Sequence, residues 1–207
     1  MSELGILPNP IPFGKYYLLE RVNIGGMAEI FKAKAFGVEG FERLLAVKKI
    51  LASIAEDESF INMFIDEAKI AGQLNHPNIA QIFDLGKVDE SYFIALEYIS
   101  GKDMKTIFER SRRIGEKVSI PRVCYVIMKV CEGLGHAHHK KDANGGDLNI
   151  VHRDISPHNV LISFAGDVKV IDFGVAKARS KNTHTKAGVI KGKLLYMAPE
   201  QAMAKDI

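Results

Sequence analysis

Cysteine is scarce in this sequence. Only two are present, Cys124 and Cys131, and they lie seven residues apart in a stretch with helical spacing. Such cysteines are more often small buried apolar side chains than disulfide partners, so a disulfide-stabilised secreted domain is not indicated. The sequence also lacks a secretory signal and any apolar run long enough to span a bilayer. We therefore expect a cytoplasmic protein, or a cytoplasmic portion of a larger one, with no membrane segment in this chain.

The sequence also lacks a strong charge bias, an internal repeat and a low-complexity tract. Its formal net charge is +3 and its pI is 8.7, which does not imply a nucleic-acid partner, and we expect none. The composition is 47% hydrophobic and 26% charged, as in ordinary soluble globular proteins. A length of 207 residues is enough for one domain or two small lobes.

The first part of the chain has the pattern of a mostly antiparallel sheet with one helix. Residues 1–13 are rich in proline and glycine, which predicts a flexible leader rather than an element. A helix is predicted at Glu58–Leu74, because the dipeptide His76-Pro77 disfavours its continuation. Runs of β-forming residues predict strands at Tyr16–Val22, Glu29–Ala35, Leu44–Leu51, Ala80–Leu85 and Tyr92–Ile99.

The part after Gly101 is predicted to be mainly helical. Pro121 begins a long helix, and a polar loop follows at Lys140–Asn149. The apolar face of that helix is predicted to carry Val123, Ile127, Val130 and Leu134. Short strands are predicted at Ile150–His152, Val160–Ser163 and Val168–Ile171. The fold class is therefore α+β, with a β-rich lobe over residues 14–98 and a mostly helical lobe over residues 99–207.

Three features of the first lobe are compatible with phosphate binding. Glycines in the turn Asn23–Ala28 let backbone amides approach a phosphate, although an ordinary hairpin turn has the same pattern. Lys48 lies in an apolar strand, so its ammonium group needs a partner or a ligand unless it extends to the surface. Glu67, in the predicted helix, is either an ordinary solvated carboxylate or the ion-pair partner of Lys48.

Three polar residues of the second lobe suggest a metal and a general base. Asn159 and Asp172 are thirteen residues apart, each at the end of a predicted strand, and their oxygens suit a divalent cation. Asp154 is a separate carboxylate that can take a proton from a hydroxyl group. Gly174, in Asp172-Phe173-Gly174, allows a sharp backbone turn after the metal-binding position.

Taken in this order, the motifs resemble those of eukaryotic-like protein kinases, and most closely those of bacterial serine/threonine kinases. The resemblance covers the chain from about Tyr16 to Gln201. It implies a protein-kinase-like two-lobe fold with a five-stranded antiparallel N-lobe, and an ATP- and Mg²⁺-dependent enzyme that phosphorylates protein serine and threonine. Family members continue with several more helices after the Ala-Pro-Glu motif at 198–200, so we expect a C-terminally incomplete kinase. The alternative is a truncated, non-catalytic nucleotide-binding or interaction module.

The resemblance also implies a role for each matching position. Lys48 would hold the α- and β-phosphates and Glu67 would steady it. Asp172 and Asn159 would bind Mg²⁺, and Asp154 would orient and deprotonate the substrate hydroxyl. The ATP-contacting positions of the family, which include a gatekeeper at Leu96 and an acidic residue near the ribose at Asp103, are Asn23, Ile24, Gly25, Gly26, Met27, Ala28, Ile30, Ala46, Lys48, Leu96, Glu97, Ile99, Asp103 and Leu161.

Two of the positions at which the sequence departs from the family are linked. Ser156 stands where serine/threonine kinases usually have a lysine, and Lys193 stands where they usually have a threonine. Because transfer needs a cation near the γ-phosphate, we predict that Lys193 reaches back over Asp154, with Ser156 as its hydroxyl neighbour. Otherwise Lys193 is one more exposed lysine of a basic loop. A tyrosine-kinase-like site is a further interpretation of Ser156, although the end of the segment, Tyr196–Gln201, resembles the bacterial serine/threonine enzymes.

An arginine before the catalytic aspartate suggests control by phosphorylation. A phosphate on the activation segment could pair with Arg153 through charge-assisted hydrogen bonds. Thr185 and Thr183 are the expected autophosphorylation sites, and protein substrates with serine or threonine are the expected partners.

Overall fold

A computed structural model describes residues 5–173 and 194–203 of the chain, and these residues divide into two compact units. The first unit takes the described residues up to Gly72 together with Gln81–Tyr98, and the second takes Gln73–Ala80 together with the described residues from Ile99 onward. The sequence placed all of 14–98 in one lobe. Gln73–Ala80 groups with the second unit because Val170 N–H donates to the Asn78 carbonyl at 2.8 Å and Ala80 N–H donates to the Val170 carbonyl at 2.9 Å.

The first unit is built on a six-stranded antiparallel sheet in the order β1-β2-β3-β4-β6-β5. Its strands are β1 (Gly5–Phe13), β2 (Tyr16–Ile24), β3 (Ala28–Phe36), β4 (Glu42–Ile50), β5 (Ile82–Val88) and β6 (Ser91–Glu97). β1 corrects two expectations: the described part of the predicted leader, residues 5–13, is a strand, and the sheet has six strands rather than five. Its alternating prolines are compatible with a strand because β1 lies at the edge, where not every N–H is needed for the ladder.

One helix, α1 (Glu58–Ala71), packs on this sheet. It begins after Asp57, whose carboxylate accepts the Ser59 N–H at 2.9 Å and satisfies an amide of the first turn. Phe64 and Ala68 on its buried face contact apolar side chains of β4 and β6. This packing presents the next buried helix position, Glu67, to the sheet.

The second unit combines helices with a small sheet. The sheet has the order β7-β8-β9. The helices and strands of the second unit are β7 (Gly101–Asp103), α2 (Met104–Arg113), α3 (Ile120–His138), β8 (Val160–Ser163), β9 (Val168–Val170) and the short α4 (Pro199–Ala202). The strand predicted at Ile150–His152 is not formed. Among the described helices, none is long and apolar enough to cross a membrane.

The buried face of α3 differs from the predicted one. Ile127, which the helical pattern assigned to the core, is 53% exposed. The residues buried on α3 are Val126, Val130, Gly133 and Ala137. The face is rotated because the segment before β5 lies against Gly133, where an added Cβ would be 3.1 Å from the Asn78 carbonyl oxygen. A side chain at that position would push the helix away.

Candidate functional site

In the first unit, the structure pairs Lys48 with Glu67. Lys48 lies near the C-terminal end of β4, opposite Ile30 of β3 and Ile94 of β6. Its Nζ lies 2.6 Å from Oε1 of Glu67 on α1, and the two side chains are only 12% and 7% exposed. The apolar contacts of α1 bring the carboxylate to the lysine, so this pair depends on the packing of the whole helix.

The glycine-containing turn joins β2 to β3 as a hairpin. Gly25 N–H donates to the Ala28 carbonyl at 2.8 Å, and Leu51 N–H donates to the Met27 carbonyl at 3.1 Å. None of the residues 23–28 has a positive φ, so the backbone conformation does not require glycine there. An added Cβ at Gly26 would meet nothing within 4 Å. The open space above this turn is what a closely approaching ligand needs.

Several other positions predicted to contact ATP lie in the sheets of the two units. In the first unit, Ala46 and Leu96 are paired across β4 and β6, and the N–H of Glu97 already donates to the Gln81 carbonyl at 2.8 Å. In the second unit, Asp103 pairs with Leu161 across β7 and β8. Asp103 also has a role that the sequence did not indicate, because it caps α2. Its two carboxylate oxygens accept the Thr106 N–H at 2.9 Å and the Thr106 hydroxyl at 2.6 Å.

The catalytic-loop motif of the second unit is fixed by side-chain hydrogen bonds. The Asn159 amide donates to the Asp154 carbonyl at 2.7 Å and to the Asp154 carboxylate at 3.2 Å. Ile171 N–H donates to the Asn159 carbonyl at 3.0 Å, which brings the residue before Asp172 against this loop. The backbone of Asp172 is left-handed, with φ of 61°, a conformation that costs energy for an aspartate and occurs where surrounding contacts enforce it. Hydrogen bonds thus join Asp154 directly to Asn159 and bring the residue before Asp172 against the same loop.

The buried side chain of His152 contacts both of these backbone segments. Its Nε2–H donates to the Ile171 carbonyl at 2.8 Å, its Nδ1 accepts the Asp154 N–H at 3.3 Å, and its ring lies 4.6 Å from that of Phe173. The side chain is only 2% exposed, and burial lowers the pKa of His152 from its ordinary value of 6.5. The neutral imidazole is thus the form that the fold accommodates.

This burial predicts a loss of stability in acid. Because the folded-state pKa of His152 is lowered, the unfolded chain takes up its proton first as the pH falls, and the stability present above about pH 6.5 is lost below it. The free energy of unfolding should decrease by up to about 1.4 kcal/mol per pH unit for this group. Denaturant titrations between pH 7.5 and 5.0 should show a shallower pH dependence for His152→Phe. A His138→Asn control, which removes an exposed imidazole, should keep the wild-type slope, and an unchanged slope in His152→Phe would contradict the assignment.

Of the two positions predicted to have exchanged a hydroxyl and an ammonium group, Ser156 and Lys193, only Ser156 lies in the described structure. Ser156 is 4% exposed, and its hydroxyl has no hydrogen-bond partner among the described residues. Lys193, Thr183 and Thr185 lie outside the described residues, so their proposed roles stay predictions.

One residue of the loop's surroundings was missed. The amide nitrogen of Gln201 donates to the Arg153 carbonyl at 2.6 Å. In the sequence, the sole indication of a role for Gln201 is its place at the end of the Tyr196–Gln201 motif.

Comparisons with known proteins show what this chain is similar to. A family model described as "Protein kinase domain" matches residues 16–206. The chain is 44% identical over 207 residues to the tyrosine-protein kinase MasK of Myxococcus xanthus, covering 100% of this chain and 32% of that protein. It is 35% identical over 189 residues to the serine/threonine-protein kinase PrkC of Bacillus subtilis, covering 91% of this chain and 27% of that protein. The chain thus spans about a third or less of these relatives.

Among solved structures, a cysteine-to-alanine mutant of the PknI kinase domain of Mycobacterium tuberculosis has a similar fold. The TM-score is 0.67 at 24% identity, over 97% of this chain and 70% of that one. At this level of identity, the likeness concerns the fold alone.

Proposed function

The chain belongs to the protein kinase domain family, and from that premise we propose that it transfers the γ-phosphate of ATP to serine and threonine hydroxyls of proteins. Several relatives are named as serine/threonine-protein kinases, among them PrkC and the PknA protein of Mycobacterium tuberculosis. ATP-dependent transfer also fits a cytoplasmic location, where ATP is available.

The observation that carries the proposal is the buried pair of Lys48 and Glu67. Burying two charges is costly, and apolar residues of similar volume often give equal or greater stability. A pair at 12% and 7% exposure is therefore better explained by a ligand than by folding. The ammonium group would hold ATP phosphates, with Glu67 fixing its position. This supports catalytic ancestry over a non-catalytic module.

The residues proposed to hold Mg²⁺ fit that ion. Both hydrogen bonds of the Asn159 amide nitrogen go to Asp154, which leaves the amide oxygen as the ligand. Together with the Asp172 carboxylate it supplies two hard oxygen donors, the type that Mg²⁺ prefers, and phosphate and water oxygens complete such sites. When bound, the ion neutralises negative charge on the phosphates.

Asp154 is proposed as the group that accepts the substrate proton. Its backbone N–H donates to His152 and its backbone carbonyl accepts from Asn159, so the backbone that carries the carboxylate is held in place. The Asn159 amide restrains one carboxylate oxygen, Oδ2. The carboxylate would orient the incoming hydroxyl and take its proton as the phosphoryl group moves. Autophosphorylation at Thr185 or Thr183, with the phosphate paired to Arg153, would regulate this step.

Tyrosine phosphorylation is the second candidate, and two observations favour it. The relative at 44% identity is named a tyrosine-protein kinase. In addition, Ser156 occupies the position at which serine/threonine members usually carry a lysine, and no described side chain partners its hydroxyl. Under the first candidate, Lys193 would supply that missing charge.

Phosphoamino-acid analysis tests the proposal and separates the candidates. The chain would be incubated with γ-labelled ATP, Mg²⁺ and a general protein substrate, and the products hydrolysed in acid. We expect labelled phosphoserine and phosphothreonine, whereas labelled phosphotyrosine alone would establish the second candidate. A parallel reaction with α-labelled ATP should leave the protein unlabelled, because only the γ-phosphoryl group is transferred. Absence of label from γ-labelled ATP would refute both candidates for this chain.

A further inference from the structure

Gln201 connects the segment around α4 to the catalytic loop. Its amide nitrogen donates to the Arg153 carbonyl at 2.6 Å, a contact between residues 48 positions apart in sequence. Its amide oxygen accepts the N–H of Ala198 at 3.0 Å, at the start of α4. One side chain thus bonds both to its own helix terminus and to the motif that carries the general base.

The chemistry of these partners fixes the orientation of the Gln201 amide. A backbone N–H can only donate and a carbonyl can only accept, so the oxygen must face Ala198 and the nitrogen must face Arg153. A flipped amide would lose both hydrogen bonds. Because the side chain is held at two points, it restrains the Arg153 carbonyl more firmly than a single surface contact would.

The Arg153 carbonyl is a sensitive place for such a restraint. Arg153 has φ of 65°, a left-handed conformation that costs energy for an arginine and persists only when its surroundings enforce it. Its carbonyl belongs to the peptide group that leads directly into Asp154. His152 and Asn159 bond the N–H and the carbonyl of Asp154. Gln201 therefore restrains the peptide group that precedes Asp154, the proposed general base.

We propose that Gln201 is a positioning residue for Asp154, coupling the Ala198–Gln201 segment to the catalytic loop. The inference rests on the proposed phosphoryl transfer, in which Asp154 meets the substrate hydroxyl. A shift of a catalytic group by about 1 Å can lower a rate by about 100-fold. Loss of the Gln201 restraint therefore lowers kcat and leaves ATP affinity unchanged.

Two substitutions separate the two hydrogen bonds of Gln201. Gln201→Glu keeps an oxygen for the Ala198 N–H but removes the donor to the Arg153 carbonyl. Gln201→Met removes both hydrogen bonds with a side chain of similar size. In the full chain, both should lower kcat for protein phosphorylation about tenfold or more, with KM for ATP changed by less than about twofold. Asn149→Asp, the same amide-to-acid change in the exposed 140–149 loop, is the matched control and should keep the wild-type kcat.

Hydrogen exchange supplies a readout that does not need activity. The amide of Asp154 should exchange about tenfold faster in both Gln201 variants than in the control, while amides of β3 and β4 keep wild-type rates. Wild-type rates of transfer and exchange in Gln201→Glu would overturn the inference, because only α4 capping would then matter. A uniform loss of protection across the second unit would also overturn it, since the role would be general packing. Absence of transfer by the wild type would instead refute the proposed function, and the exchange data would still decide on Gln201.

Discussion

Asp154→Asn should lower kcat by about 10²- to 10⁴-fold, the usual contribution of a positioned general base. Asparagine has nearly the same shape but cannot take the substrate proton. The contact with the Asn159 amide is retained, because the new side chain keeps an oxygen where the Asp154 carboxylate now accepts at 3.2 Å. The loss should therefore fall on kcat and on kcat/KM alike, with little change in the affinity for ATP.

The measurement is a steady-state titration of ATP and protein substrate with wild type and variant. Asp167→Asn provides the matched control, because Asp167 is an exposed aspartate in the turn between β8 and β9 whose carboxylate accepts the Ser163 hydroxyl at 2.8 Å. It should keep wild-type kinetics. Near-wild-type kcat in Asp154→Asn would show that proton transfer by this carboxylate does not limit the reaction.

Lys48→Met should abolish detectable transfer and also destabilise the first unit. Removing Lys48 takes away the ammonium group that lies 2.6 Å from Glu67, whose side chain is 7% exposed, and breaking a buried ion pair costs about 3–5 kcal/mol. Replacing both residues, as Lys48→Met with Glu67→Leu, should restore much of the stability and none of the transfer. The double variant thus separates the cost to stability from the loss of the proposed contact with the ATP phosphates.

Denaturant unfolding and ATP titrations together test this prediction. Lys49→Met is the control, because Lys49 is the next residue of β4, is 27% exposed and lies 3.7 Å from Glu29 instead. A wild-type rate in Lys48→Met, or a double variant as unstable as the single one, would contradict the role assigned to the pair.

The parts of the site that the sequence predicted best depend on local pattern. The strand around Lys48 follows a continuous apolar run, and the helix around Glu67 has apolar residues at helical spacing, so both elements are expected to pack in the core. Because a buried charge needs a partner, the lysine of the strand and the glutamate of the helix are expected to pair. The same argument applies to the loop from Asp154 to Asn159, since residues five positions apart in a tight segment stay close whatever surrounds them.

The features that the sequence did not predict depend on partners distant along the chain. β1 forms because β2 offers it an edge, although its own prolines indicate a leader. The face of α3 is set by close approach at Gly133, which a periodic pattern does not contain. Gln201 finds Arg153 only after the chain has folded back, so no local signal could have assigned its role.

The central claim, that Asp154, Asn159 and Asp172 take part in metal-dependent phosphoryl transfer, is tested most directly by one assay. Transfer of label from γ-labelled ATP to protein would be followed for wild type and Asp172→Ala over a titration of Mg²⁺. We predict Mg²⁺-dependent transfer by the wild type and a loss of about 10²-fold or more in the variant, because the carboxylate proposed to bind the ion is gone. Equal transfer by both proteins at every Mg²⁺ concentration would contradict the account.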